Sequence, residues 1–478
     1  MRLGRLRPAE SPCANVAGVF ASYRRGLLAL TLAGLAVRLL WVALEPATSP
    51  VADETMWVSW GSQILPSPEV RFSPLRLLFV FHPPLYVYFV GVPFVLFGTL
   101  EAVKYAQCLA GVLLVPALGL VGRRAFGERA GLVAAGIAAF YPELVWFASH
   151  FWAETVFTVL LWWAVERLLA ADGEKGGKAA LASGLLWGLA VLTRETVLYF
   201  LPLAALWLAW RRAGGMRRAA VLLAAAALVV LPWTLRNWLV FDAFVPVSTS
   251  GALNLWQGNT RLAREQVYEE YWAVHGRIAK YEHARRRAVE AILERQPLWI
   301  LEKLRDEMPA FWAAHGQPIV HLERGGYGVV ARPLALLAVA VVLLPYLAVL
   351  AFFVAGVASL PRRRAVVLLL GFLVFYVLLH VVAHGYPRYR LPVMPAVFLV
   401  AAHGWACRPW STAPATCPGP DRGRRLSAAA TALVLALSVG PSLVAWATRP
   451  WPPPWFAGLG VEGGAETSPG ETPQQERP

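Results

Sequence analysis

Charged side chains are scarce in this chain. Of its 478 residues only 15% are Asp, Glu, Lys or Arg, 58% are hydrophobic, and the mean hydropathy is +0.52. That balance excludes an ordinary soluble domain, in which about a quarter of the residues carry charge. Acids are the scarcer sign, 29 against 44 basic residues, so each carboxylate deserves a reason. Cysteine is nearly missing too: the four in the chain have no metal-ligand spacing, which excludes a zinc ribbon or finger. Short runs alternating apolar and polar, the mark of a membrane barrel, are not found either.

What the chain has is long apolar runs. Segments such as 26–44, 333–359 and 365–379 carry at most one charge each, and most are long enough to cross roughly 30 Å of hydrocarbon. The fold class that follows is an all-α polytopic membrane protein, because only helices satisfy every backbone group within such segments. The formal charge of +15 raises nucleic acid as a partner. The basic residues, however, fall in short clusters between apolar runs, which is an orientation signal and not a nucleic-acid surface. Clusters at Arg24-Arg25, Arg123-Arg124, Arg211-Arg212, Arg362 to Arg364 and Arg424-Arg425 are expected on the cytoplasmic side. This threading predicts about eleven transmembrane helices.

The segment 83–98 breaks that pattern. It is apolar, but it holds Pro83, Pro84 and Pro93, and counting it as a crossing turns several basic clusters outward. An interfacial or re-entrant helix on the outer side is expected instead. The chain then divides into a cytoplasmic segment 1–25, a transmembrane module 26–235 containing a first outer loop 45–102, a large outer loop 236–331, further transmembrane helices over 332–447 and a disordered tail 448–478. Within the large loop Val267, Tyr271, Val274, Ile278, Tyr281, Ala288 and Ile292 recur at helical spacing, predicting one amphipathic helix against the bilayer or the protein.

The scarce acids and the unusual cations of the outer loops are the candidate chemistry. Asp53 and Glu54 stand at the expected start of a helix just past the first apolar run, where a carboxylate is able to take a proton from a hydroxyl, to bind a divalent cation such as Mg or Mn, or simply to cap the helix. Glu154 lies at the mouth of a later span among aromatics, and with Asp53 forms the candidate pair for a metal. His82 precedes a rigid diproline and is a candidate phosphate ligand. His384, Arg388, Tyr389 and Arg390 crowd one short turn near the C-terminal end, where two arginines bracketing a tyrosine offer forked donors to a phosphate. Arg236 ends a span and is a further candidate for the donor phosphate; Asn254, Trp256 and Asn259 follow in a polar, glycine-punctuated stretch suited to a sugar or acceptor, with His384 a further candidate there. Arg194 and Glu195, adjacent in sequence, are expected to pair with each other.

At these residues the chain resembles the C-superfamily (GT-C) glycosyltransferases, in particular the branch of protein O-mannosyltransferases and the aminoarabinose transferase acting on lipid A. The resemblance runs over roughly 38–395 and is carried by Asp53-Glu54, His82-Pro83-Pro84-Leu85, Gly122 to Gly127, Glu154, Asn254 to Asn259 and Arg388 to Pro392. It implies an inverting enzyme that moves a sugar from a polyprenyl-phosphate donor to a glycan, lipid or protein acceptor outside the cytoplasmic membrane of a bacterium. Carried over by position, Asp53 is the general base, Glu154 the second acid, and His82 with the Arg388 to Arg390 group the holder of the leaving phosphate. Where relatives often have Lys-Pro-Pro-Leu this chain has His82. A transporter or flippase of lipid-linked sugars and a ligase using a diphosphate donor are the alternatives that the residues alone leave open.

Overall fold

The computed structural model describes residues 12–45, 50, 53–64, 79–173, 176–210, 213–328, 330–407 and 421–448; the expected tail 448–478 lies almost wholly outside them. The described residues are α-helical throughout, with two short 3-10 turns and no strand. Among the described residues six helices are long and apolar enough to cross a bilayer: Ser22–Leu44, Leu100–Phe126, Gly215–Phe241, Arg332–Val357, Arg364–Ala383 and Arg422–Val444. Leu85–Phe97, Gly177–Thr193, Glu195–Ala209 and Met394–Ala406 are apolar but shorter. The molecule is thus an integral membrane protein of the expected class.

We number the helices used below as α1 (Pro12–Leu44), α2 (Asp53–Ile64), α3 (Leu85–Phe97), α4 (Leu100–Val112), α5 (Leu114–Phe126), α6 (Glu128–Phe140), α7 (Pro142–Trp146) and α8 (Glu154–Ala171). They continue as α9 (Gly177–Thr193), α10 (Leu201–Ala209), α11 (Gly215–Phe241), α12 (Ser250–Asn259), α13 (Arg264–Ala273), α14 (Arg277–Glu294) and α15 (Trp299–Trp312). The last are α16 (Gln317–Glu323), α17 (Arg332–Val357), α18 (Arg364–Ala383), α19 (Met394–Ala406) and α20 (Arg422–Ala447). At 13 residues, α3 reaches only about 20 Å at 1.5 Å per residue, too short to cross hydrocarbon alone.

Small residues draw the central helices together, since lipid leaves packing as the main attraction between them. A Cβ on Gly131 of α6 would stand 2.6 Å from the Gly119 carbonyl of α5, and one on Gly184 of α9 would stand 2.3 Å from the Leu222 carbonyl of α11. Arg38, costly in lipid, is buried within α1 and donates to the carbonyls of Gly34, Ala138 and Ala139 at 2.9–3.0 Å, as its position required.

Polar contacts separate the two ends of this bundle. One end gathers basic residues with their acids: Arg123 with Glu128, Arg124 with Glu166, and Arg364 with Asp172, all within 3.3 Å. The other gathers Glu45, Glu54, Asp53, Glu154, Arg194 and Arg388. The single amphipathic helix expected in the large loop is instead two, α13 and α14, broken at Gly276, whose φ of 89° turns the chain where a side chain would be strained. From α14 the buried stripe is Lys280, Ala284 and Ala288, with small residues admitting close approach of α12.

Candidate active site

Asp53 opens α2, and Glu154 opens α8. A carboxylate at a helix start faces unpaired N–H groups and the positive end of the helix dipole. Between them lies Arg388, on the 3-10 turn Pro387–Arg390. Its Nη2 donates to Asp53 Oδ2 at 2.9 Å, and its Nε lies 3.2 Å from Glu154 Oε1. Arg194, from the end of α9, donates through Nη1 to the same Glu154 oxygen at 2.6 Å. One guanidinium thus bridges acids about a hundred residues apart in sequence, and a second completes the charge balance.

Aromatic rings shape the cluster. Trp152 lies under the Arg388 guanidinium, 4.0 Å from ring centre to charge, and Tyr389 stands 5.2 Å from both Arg388 and Arg194. Such rings orient a planar cation without neutralising it. Beside them His82 packs between Trp57 and Phe81, at 4.9 and 4.6 Å between ring centres. Its segment is held in place by Arg236, which donates to the Phe79 carbonyl at 3.0 Å, and by Thr249 and Ser250, whose amides donate to Val80 and Phe81.

The electrostatics follow from this packing. For Asp53, burial opposes ionisation, but the Arg388 cation, with Arg264 further off, holds the carboxyl below its usual range. Burial pushes the His82 imidazole down to about 4, with Arg194 and Arg388 adding to the fall against the pull of Asp53. The expected phosphate cation is therefore a neutral imidazole here. Burial works against the Arg388 charge, and Asp53 and Glu154 outweigh it, raising its pKa.

Other candidates stand elsewhere. Glu54 is buried and accepts the Phe151 amide at 2.8 Å; it sets the turn carrying Trp152 and Glu154 and does not share the Asp53 pocket. Arg390 is buried apart from Arg388, donating to the carbonyls of Ala313 at 2.5 Å and Phe311 at 3.4 Å, with Glu143 4.0 Å away. Arg236 serves the Phe79 loop, as described. Trp256 is buried against His283 and Arg287. Asn259 is buried as a brace between Leu255, Val382 and Trp299, whereas Asn254 is exposed on α12. His384 lies 3.4 Å from Glu307 and touches the edge of Tyr389. Arg194 pairs with Glu154 and not with its neighbour Glu195, which accepts the Ser248 amide and hydroxyl at 3.2 and 3.0 Å. Arg264, at the start of α13, lies within electrostatic reach of Asp53 and Tyr389. Nothing in sequence singles it out from the other basic residues of its loop.

Asp53 and Glu154 are each engaged by a guanidinium, and among the described residues no group of three His, Cys, Asp or Glu converges.

Residues 81–236 match the family of dolichyl-phosphate-mannose-protein mannosyltransferases. The matched stretch holds His82, Glu154, Arg194 and Arg236, while Asp53 and Arg388 lie on either side of it. No curated protein matches the chain. Among solved structures it is similar to the oligosaccharyltransferase AglB of Archaeoglobus fulgidus, in complex with an inhibitory peptide and a dolichol-phosphate, at 14% identity and a TM-score of 0.48. That likeness covers 93% of this chain but 56% of AglB, so the chain spans little more than half the length of that enzyme. It is also similar to ArnT of Cupriavidus metallidurans bound to undecaprenyl phosphate, at 16% identity, a TM-score of 0.38, and coverage of 81% of this chain and 77% of ArnT.

Proposed function

We propose that this protein is an inverting glycosyltransferase that takes a sugar from a polyprenyl-phosphate donor at the extracytoplasmic face of a bacterial cytoplasmic membrane. The observation that carries the reading is the bridging of Asp53 and Glu154 by Arg388, with Arg194 on the same acid. Displacement at an anomeric carbon needs a base on one side and charge stabilisation for the departing phosphate on the other. Asp53 supplies the first and the arginines the second. The new bond joins the acceptor oxygen to the anomeric carbon, the acceptor proton passes to Asp53, and the old C–O bond breaks with its electron pair leaving on the phosphate.

The ion pair also couples donor binding to base strength. A phosphate competing for Arg388 removes the cation that depresses Asp53, so the carboxylate becomes more basic once the donor is seated. Glu154 keeps Arg194 and Arg388 oriented meanwhile. The prenyl chain has a place close by: an apolar groove of about 290 Å³ between α3, α9 and α11, lined by Pro84, Leu85, Tyr88, Leu192, Trp233 and Arg236. It begins beside His82, where the phosphate belongs, and gains affinity from each buried methylene. The orientation is supported by the basic residues at the opposite end of the bundle. Charge compensation is assigned to the arginines in place of Mg or Mn.

The test is transfer by the full-length protein in membranes from a panel of radiolabelled polyprenyl-phosphate sugars. Wild type is expected to label an acceptor fraction, and Asp53→Asn to lose at least about a hundredfold of that rate, the usual worth of a general base. Full transfer by Asp53→Asn rejects the assignment.

A further inference from the structure

Outside the carboxylate–guanidinium cluster the molecule has a second, wholly different cavity. It is a groove of about 420 Å³ between the end of α12 and the face of α15, a volume within the roughly 300–1,000 Å³ of small-molecule sites. Its walls carry Arg261, Arg295, Lys303 and Arg305 against Glu302, Asp306 and Glu307. These charges alternate and are mutually satisfied. Arg295 holds Glu302 through Nε at 2.7 Å and Nη2 at 2.6 Å, Arg305 holds Asp306 through two bonds at 2.7 and 2.9 Å, and Lys303 donates to Glu307 at 2.9 Å.

The pattern selects a class of ligand by exclusion. An anion entering would meet three carboxylates already paired, and a cation would meet four positive groups. An apolar body would take these ion pairs out of water and leave their remaining donor and acceptor sites unmet, which is unfavourable. What matches a wall of interleaved donors and acceptors is a ligand whose every polar group is both, which is the property of a hydroxyl. We propose that this groove binds the polyhydroxylated, neutral glycan portion of the acceptor; the word acceptor rests on the transferase reading above.

The groove is tied to the reacting cluster through its own wall. Glu307 faces it, yet its Oε2 also accepts the Gly385 amide at 2.6 Å and lies 3.4 Å from His384 Nδ1, three and four residues before Arg388. Its floor is rigid: Lys303 is 2% exposed and donates to the Gly258 carbonyl at 2.5 Å, and a Cβ on Gly258 would fall 1.7 Å from the Ala383 carbonyl. Asn259, expected to touch sugar directly, acts behind this wall, its carbonyl accepting from Arg295 at 3.0 Å. A glycan seated here lies beside the turn that carries Arg388.

The experiment is saturation-transfer NMR on the full-length protein in lipid nanodiscs, without donor, using maltotriose, mannotriose and chitotriose as neutral probes and trigalacturonate as the anionic one. At least one neutral trisaccharide is expected to bind saturably. Arg261→Ala, at a side chain 81% exposed and therefore harmless to folding, and Glu302→Gln are expected to weaken it by about three- to tenfold, the loss of a hydrogen bond or two. Asp53→Asn is expected to bind like wild type. No binding by any neutral probe, tighter binding of trigalacturonate, or unchanged affinity in both groove variants overturns the proposal. Failure of sugar transfer with trisaccharide binding intact would remove the transferase reading and leave the carbohydrate site.

Discussion

Arg388 and Arg390 stand two residues apart on one turn and are both held near carboxylates, but they occupy unlike surroundings. Arg388 shares a pocket with Asp53, whose side chain is 40% exposed, so part of its environment is open to an incoming ligand. Arg390 is 1% exposed and spends its donors on the carbonyls of Phe311 and Ala313, with Glu143 and the Tyr346 ring beside it. The cause is the 3-10 geometry of the turn, in which residues three apart eclipse and residues two apart point about 120° away from each other. Identical side chains two residues apart in sequence thus meet different surroundings: one shares a partly open pocket with Asp53, the other closes the fold behind it.

The two arginines are separated most sharply by substitution. Arg390→Ala strands Glu143 in the interior and is expected to cost about 3–5 kcal/mol of stability, read as loss of folded protein in detergent thermal unfolding. Arg388→Ala leaves acids that still reach water or Arg194, so the fold should survive within about 1–2 kcal/mol. Sugar transfer should nevertheless drop by about a hundredfold or more, the worth of one preorganised donor to the leaving group. Equal loss of transfer at equal stability in both variants would erase the distinction.

A finer test concerns His82. Because its folded pKa is depressed to about 4, the folded state disfavours its protonation, so this residue costs stability progressively as pH falls from about 6.5 to about 4 and costs none above that window. A bound phosphate reverses the preference. Affinity for polyprenyl phosphate is therefore expected to rise on acidification across that window in wild type, to stay flat there in His82→Gln, and to be tighter at neutral pH in His82→Lys. A flat wild-type profile, with Lys no better than His, would detach His82 from the phosphate. The smallest expected effect is that of chelation: with the arginines compensating charge, EDTA should change transfer by less than about twofold, a shift under about 0.4 kcal/mol. Restoration of lost activity by Mg or Mn would reverse that assignment.

The membrane class and the convergence of Asp53, Glu154 and Arg388 were legible in the sequence for the same reason. Counting crossings by basic clusters puts all three at one end of the bundle, and side chains that share an end are free to meet. What the count does not supply is rotation about each helix axis. Glu54, one residue from Asp53, points to the Phe151 amide because adjacent positions on a helix lie about 100° apart. Arg194 passes over its neighbour Glu195 for the distant Glu154 in the same way. Trp256 and Asn259 have the composition of a sugar site, but their burial depends on α14 and α18 closing over α12. The break at Gly276 was hidden because apolar spacing continues across it while the backbone does not.

Glu54 carries one further consequence. By giving its carboxylate to the Phe151 amide in a buried setting, it latches the first loop to the second, and parting them would expose an anion and an amide to each other's absence. That flank is thereby held by a buried, charge-assisted hydrogen bond. On the proposed reading a lipid-borne donor is expected to enter instead from the side where α3 meets α11, past Arg236.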